Sequence, residues 1–464
     1  MMSLPQALLD SLSQVTGYQA DSFIKTHELG ESPTSIRINP DKINTPPAHL
    51  NIQSPVLWNQ YGYYLNARPA FTFDPYFHAG TYYVQEASSM FLEYAVKQSV
   101  DLDEDLRVLD LCAAPGGKST LLASLLSPDS LLVSNEVIKS RANILVDNMS
   151  KWGLTNTYVT NNDPKDFSRI GGYFDLIVVD APCSGSGLFR RDPEAVVEWS
   201  LDNVAMCSQR QQRILADVWD SLKEGGILLY STCSYSEAEN ETIMDWVVDN
   251  LSAKNIVLDK KDTDTIQQWG IVRTESPEHK AIGYRFYPDQ AKGEGFFMAA
   301  FQKTKSDYKP FHRPHIKPQR TKSFKHEKSV LSQWITDLEN YMWFEKNDNF
   351  YLINPEHESD LKILQSNLYI KKAGILLGQI GAKDLIPEHE LALSTILSEQ
   401  VPILNVSYEQ AIAYLRKDDF VPDTNQRGWC GIAYEEHILG WGKALGNRFN
   451  NYYPKELRIL SRLP

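Results

Sequence analysis

Cysteine is scarce. The 464 residues hold five, an odd number with no CxxC pair, which excludes a disulfide scaffold and a zinc ribbon. Long apolar runs are missing as well. The leucine-rich stretch 121–133 is broken by Pro128 and Asp129, too short and too polar to span a bilayer. No Lys or Arg precedes Lys25, so the start lacks the basic segment of a secretory or transit peptide. A cytoplasmic chain with reduced thiols and no membrane partner is the expectation. Positive charge is in deficit, with 46 Lys and Arg against 59 Asp and Glu, a net charge of −13. Taken alone, that argues against a polyanion partner. No GxGxxG is present, and no histidine falls between Gly80 and Glu278. A Cys-His hydrolase pair in the middle of the chain would therefore need a distant partner.

What is present is globular: 42% hydrophobic and 23% charged residues, enough for about three domains. The acidic average hides one exception. Between Gln302 and Lys328 nine Lys and Arg face only Asp307 and Glu327, and Pro310, Pro314 and Pro318 are evenly spaced through the run. Such a strip reads either as an extended, solvated linker or as the face at which an acidic body meets a polyanion. It divides the chain. The expected units are 1–104, a small N-terminal α+β domain; 105–303, an α/β domain; 304–328, the linker; and 329–464, a C-terminal unit.

The middle unit alternates strand and helix. Arg107–Leu111, Leu131–Ser134, Asp175–Asp180, Ile227–Ser231 and Gly295–Phe301 read as strands. The spacing predicts helices over 118–126, 140–152 and 203–222, and Ser236 with Glu239 forms a capping-box pattern opening another. Alternating βα units imply a mostly parallel sheet covered on both faces. Ligands in such sheets bind beyond the carboxyl ends of the strands. At the first such end stands Asp110-Leu-Cys-Ala-Ala-Pro-Gly-Gly-Lys-Ser119. Its small residues and the helix start behind it suit close approach of a ligand. Gly117-Lys118-Ser119 fits the end of a P-loop, but Cys112 stands where the leading glycine belongs. An S-adenosylmethionine loop is the other reading, with Glu136 at the next strand end on the ribose hydroxyls. Asp180-Ala-Pro-Cys183 and Ser231-Thr-Cys233 then end two further strands. Two thiols at two strand ends of one sheet, without metal-ligand spacing, point to thiolate chemistry on an electron-poor substrate. Either thiol could be the nucleophile. Cys112, Cys207 and Cys430 read as core.

These segments carry a resemblance. LDLCAAPGGKST, NEVIKSRANIL, DLIVVDAPCSGSGLFRRDPE, LLYSTCSYSEAENE and RFYPDQAKGEGFFMAAF, with SIRINP and FHAGTYYVQEASSM before them, resemble the motifs of the Fmu/Sun/Nop family of RNA cytosine-C5 methyltransferases. The C-terminal segments GILLGQIGAKDLIPEHELALS and GWCGIAYEEHILGWGKALGNRFNNYYP resemble the PUA-like RNA-binding end of that family's bacterial RsmF type. The resemblance implies a Rossmann-like class I S-adenosylmethionine-dependent methyltransferase domain between an N-terminal RNA-binding domain and a C-terminal PUA-like region. It also implies methylation of a cytosine in small-subunit (16S) ribosomal RNA, within the small subunit, by a monomer without metal. The same chemistry on tRNA, or a P-loop hydrolase built on Lys118, Ser119 and Asp180, are the alternatives. By resemblance Cys233 is the nucleophile, Cys183 serves product release and Asp180 contacts the cytosine. The cofactor falls to Cys112, Ala113, Ala114, Pro115, Gly116, Gly117, Lys118, Glu136, Asp163 and Asp180. Cys112 and Ala113 contribute backbone only, and Asp163 meets the adenine amine. By itself Asp163 reads as a turn residue before Pro164. The aromatic-basic tail (Trp441, Lys443, Arg448, Tyr452, Tyr453, Lys455) could stack and clamp RNA or be core with a charged rim.

Overall fold

The computed structural model describes residues 4–260, 263–306, 325–381, 384–420, 422, 426–446 and 448–461. Most of the basic strip, 307–324, lies outside them.

The centre is a ten-stranded sheet. Its inner strands Arg107–Asp110, Leu131–Asn135, Thr157–Thr160, Phe174–Asp180 and Leu222–Thr232 run parallel. Arg107–Asp110 lies between Leu131–Asn135 and Phe174–Asp180. Strand order reverses there, and a crevice opens at such a point in doubly wound sheets. The inner strands are continuously apolar because both faces are covered. Val108, Leu132 and Val178 pack on one side, and Leu109, Val133 and Ile177 on the other.

The inner strands are parallel, as the alternating βα units predict, and antiparallel strands at the two edges make the sheet mixed. Phe296–Lys303 pairs antiparallel with Leu222–Thr232, and Ile282–Phe286 and Val272–Glu275 extend that edge antiparallel. At the far edge another antiparallel strand, Ile370–Ala373, pairs with Thr157–Thr160. It comes from the C-terminal unit, so strand pairing crosses the boundary drawn at 329. The helix Glu358–Asn367 lies with it. Its Asp360 forms a buried ion pair with Arg107 at 2.8 Å and accepts from Tyr173.

The N-terminal part carries helices Gln6–Leu12 and Ala20–Leu29 and a four-stranded antiparallel sheet. The C-terminal part carries two more four-stranded sheets. Trp441 and Tyr453 are almost fully buried, as are Trp429 and Cys430. Trp441 and Tyr453 are therefore core and cannot stack bases, which corrects that reading of the tail; Tyr452 is exposed. Among the described residues, no helix is long and apolar enough to cross a membrane.

The helix predicted over 203–222 spans Leu201–Trp219, and the chain passes into the strand Leu222–Thr232, which contains Gly225 and Gly226. The capping box at Ser236 does not form: the Ser236 side chain caps nothing and Glu239 turns into the interior.

Candidate active site

The loop after Arg107–Asp110 ends at helix Gly117–Ala123. Gly116 sits at φ 120°, where L side chains are rare, and an added Cβ would lie 3.3 Å from Leu145. The loop is pinned on several sides. Ala113 N donates to Asn135 O (2.8 Å), Asn148 to Pro115 O (2.8 Å) and Arg141 to Ala114 O (2.7 Å). Arg141 also pairs with buried Glu136 at 3.4 Å, which ties the loop to the next strand end.

From the N-terminal domain, Arg37 reaches under the same helix. It is fully buried over the Trp152 ring, donates to Thr120 Oγ1 (2.6 Å) and Gly117 O (3.3 Å), and leaves Nη1 without a partner. Burial without a carboxylate partner lowers its pKa to about 9. Sequence reading missed this residue, although a lone charge between Ile36 and Ile38 on a fully buried strand is a legible signal.

Asp110 is also buried. It accepts from Ser119 Oγ at 2.7 Å, and its Oδ1 has no partner. Burial pushes its pKa up to about 7. An orphaned acceptor beneath a glycine-rich loop fits a site that takes a polar ligand. A cleft opens above, lined by Tyr83, Gln85, Glu86, Ser89, the segment 112–118, Asp180 and Arg191. Asp163 stands one strand further along and caps a short helix, accepting from Lys165 N through Oδ1. The fold thus joins segment 112–118 directly to Asp180, and to Glu136 through Arg141. Asp163 is engaged as the turn residue its Asn-Asp-Pro context predicts.

The two thiols meet at adjacent strand ends. Cys183 Sγ and Cys233 Sγ are 2.9 Å apart. Phe174–Asp180 and Leu222–Thr232 are neighbouring parallel strands with Asp180 opposite Ser231, so the residues just past them converge. Gly187 N donates to Cys233 O at 2.9 Å, and a Cβ on Gly187 would lie 2.8 Å from that oxygen. Beside the thiols, Asp180 accepts from Ser231 Oγ (2.9 Å) and pairs with Lys118 Nζ (2.9 Å). Burial works against the Lys118 ammonium, but Asp180 together with Asp110 and Cys233 outweighs it, and its pKa is raised. A P-loop would aim that lysine at phosphate; here it is committed to Asp180.

The Cys183 pKa is pushed well above the usual thiol value, first by the hydrogen bond to Cys233 and then by burial. Its neutral form is thus favoured beside the Cys233 sulfur, and either thiol of the pair can be the hydrogen-bond donor. The Cys112 thiol is raised by burial and by Asp110, which suits a backbone role only. Cys207 is buried.

Three family models match the chain. The 16S rRNA methyltransferase RsmB/F model covers 97–302, the N-terminal domain of 16S rRNA methyltransferase RsmF covers 4–87, and the methyltransferase RsmF PUA domain covers 401–459. A ribosomal RNA small subunit methyltransferase F from Psychromonas ingrahamii is 29% identical, across 98% of this chain and 97% of its own. A protein of the same name from Aliivibrio fischeri is 29% identical, across 82% and 79%. The crystal structure of a methyltransferase homolog from Pyrococcus horikoshii superposes with a TM-score of 0.54 at 28% identity, over 65% of this chain and 96% of that one. With its catalytic, N-terminal and C-terminal segments matched in order, the chain belongs to the RsmB/F family of RNA methyltransferases, with the N-terminal and PUA domains of the RsmF type.

Proposed function

We propose that this enzyme methylates C5 of a cytosine in 16S ribosomal RNA, within the small subunit, using S-adenosylmethionine and a covalent link from Cys233 to C6. The observation that carries the reading is the pair of sulfurs 2.9 Å apart, next to Asp180 and Lys118 at the mouth of the segment 112–118. Asp110, Glu136 and the backbone of 112–118 are the groups that would hold the cofactor, and Asp163 would reach its adenine. Bound there, the cofactor supplies an electrophilic methyl group.

The chain's own residues do the rest. C5 of cytosine is a poor nucleophile until C6 carries a substituent. Cys233 adds as thiolate at C6, and C5 becomes an enamine carbon. The Lys118 ammonium lies near enough for its charge to act on Cys233. Asp180, held by Ser231 and Lys118, accepts from the cytosine N4 edge, a known base-reading geometry. After methyl transfer the C5 proton passes to solvent and the Cys233 sulfur leaves. The Cys183 thiol donates to that sulfur and stabilises it as thiolate.

The target base must be flipped from its stack, at about a few kcal/mol. A groove continues from the cofactor cleft along Val84–Glu86 to Ser32–Ser35, with exposed Arg68, Arg191 and Lys292 on its walls. On a chain of net charge −13 this is where we place the flanking phosphates.

The test is Cys233→Ala. Methyl transfer to small-subunit RNA from a strain lacking the enzyme should vanish while S-adenosylhomocysteine still binds. Retained turnover would overturn the covalent mechanism.

A further inference from the structure

The two cysteine loops are fastened to each other by one side chain that the reaction described above does not use. Glu239 is completely buried. Its Oε1 accepts from Ser184 N at 2.7 Å and from Gln211 Nε2 at 3.3 Å. Its Oε2 accepts from Ser184 Oγ at 2.5 Å and from Ser234 Oγ at 2.6 Å. Ser184 directly follows Cys183, and Ser234 directly follows Cys233. The two serine hydroxyls also lie 3.2 Å from one another. Among the described ion pairs none involves Glu239, so its charge is held by donors alone.

An ionised carboxylate taken out of water without a cation is costly unless its lone pairs are filled. Four donors fill them here, and three of the four come from the residues next to the thiols. From these contacts we infer that Glu239 is the positioning residue of the two-thiol step, one carboxylate holding both loops in register so that Cys183 donates to Cys233. The inference rests on the covalent reading proposed above.

A carboxylate accepts from all four groups at once. A glutamine could keep the two N–H donors on its oxygen only by turning its NH2 to the hydroxyls of Ser184 and Ser234, which would then have to rotate from donors to acceptors; the charge that draws both hydroxyls to one point would be gone. The charge acts as well as the geometry. Cys183 faces Asp180 at the end of its own strand, Cys233 and Tyr230 from the neighbouring strand, Glu239 behind it and Lys118 beyond Asp180. Glu239 and Asp180 both favour the neutral thiol. Removing one of the two negative charges makes Cys183 easier to ionise, and an ionised Cys183 cannot donate to a Cys233 thiolate.

The test measures kcat, KM for RNA, S-adenosylhomocysteine affinity and the pH profile of kcat for Glu239→Gln, Ser184→Ala and Ser234→Ala, alongside wild type and Cys233→Ala. A misplacement of about 1 Å between reacting groups can cost about a hundredfold in rate. Glu239→Gln should lose kcat on that scale, with cofactor affinity within about twofold of wild type. Its alkaline limb should begin at lower pH. Ser184→Ala and Ser234→Ala, each cutting part of the clamp while leaving the carboxylate charged, should lose less and keep the wild-type limb. If Glu239→Gln fails to fold, the serine variants carry the test through their kcat. Folded variants with wild-type kcat and an unmoved alkaline limb would overturn the inference. Normal turnover by Cys233→Ala would instead overturn the covalent reading on which it rests.

Discussion

Replacing Cys183 with alanine should leave RNA bound to the enzyme. In the mechanism proposed above, the Cys183 thiol donates to the Cys233 sulfur, which lies 2.9 Å away. That bond is strongest when Cys233 is a thiolate, before attack and after release. It is weakest while the sulfur is committed to C6. Its loss therefore destabilises both free forms relative to the adduct. A hydrogen bond to a charged acceptor contributes about 1.5–3 kcal/mol, and a thiol, a weak donor, belongs at the lower end. About 1.4 kcal/mol is a tenfold change in rate. Release should slow about tenfold, and a slow-migrating protein–RNA band should build up on a denaturing gel with labelled RNA. Cys183→Ser, which keeps a donor, should trap less than Cys183→Ala. The band must disappear in the Cys183→Ala, Cys233→Ala double variant. Wild-type turnover by Cys183→Ala with no band would refute the reasoning and return Cys183 to a packing role.

Arg68→Glu with Lys292→Glu should weaken RNA binding. The slope of log affinity against log salt should flatten by about 0.7 for each phosphate that the protein no longer neutralises. Cofactor affinity should hold, and an unchanged slope would move the RNA path elsewhere. His27 and His78 are held down to about 4 and His389 to about 3, each chiefly by burial. Lowered in the fold, they favour the native state above pH 6.5 and withdraw that support as pH falls toward 4. Asp110, raised by burial, acts in the opposite direction over part of that window. The melting temperature of wild type should therefore drop more steeply from pH 6.5 to 4.5 than that of His78→Gln. Identical curves would mean that protonation of His78 is not coupled to unfolding.

The glycine-rich loop 112–118 and the thiol pair were legible because their chemistry is local. A segment as biased as Cys112–Lys118 has few other uses, and strand ends in a parallel sheet converge wherever the chain places them. Glu239 was misread for the same reason. A serine and a glutamate three residues apart satisfy the capping-box pattern whether the carboxylate turns back to the helix or inward to Ser184 and Ser234, and only the long-range fold decides. Trp441 and Tyr453 were ambiguous because aromatic residues serve cores and base stacking alike. Arg37 and the strand Ile370–Ala373 depend on partners more than 80 and 200 residues away, respectively. No periodicity announces such pairings. The basic strip stays an expectation from sequence, since 307–324 lie outside the described residues.

The strand Ile370–Ala373 closes one side of the catalytic sheet, and it arrives after the whole catalytic unit in chain order. A ribosome-bound nascent chain that has emitted the catalytic unit alone still has Thr157–Thr160 with bare amides and carbonyls along its outer side. Such an edge is adhesive toward any other extended chain. The protein's own C-terminal segment is thus its seal. A catalytic fragment ended near 329 should aggregate through that rim, so the part played by the C-terminal domain in RNA binding is better probed by surface substitutions than by shortening the chain.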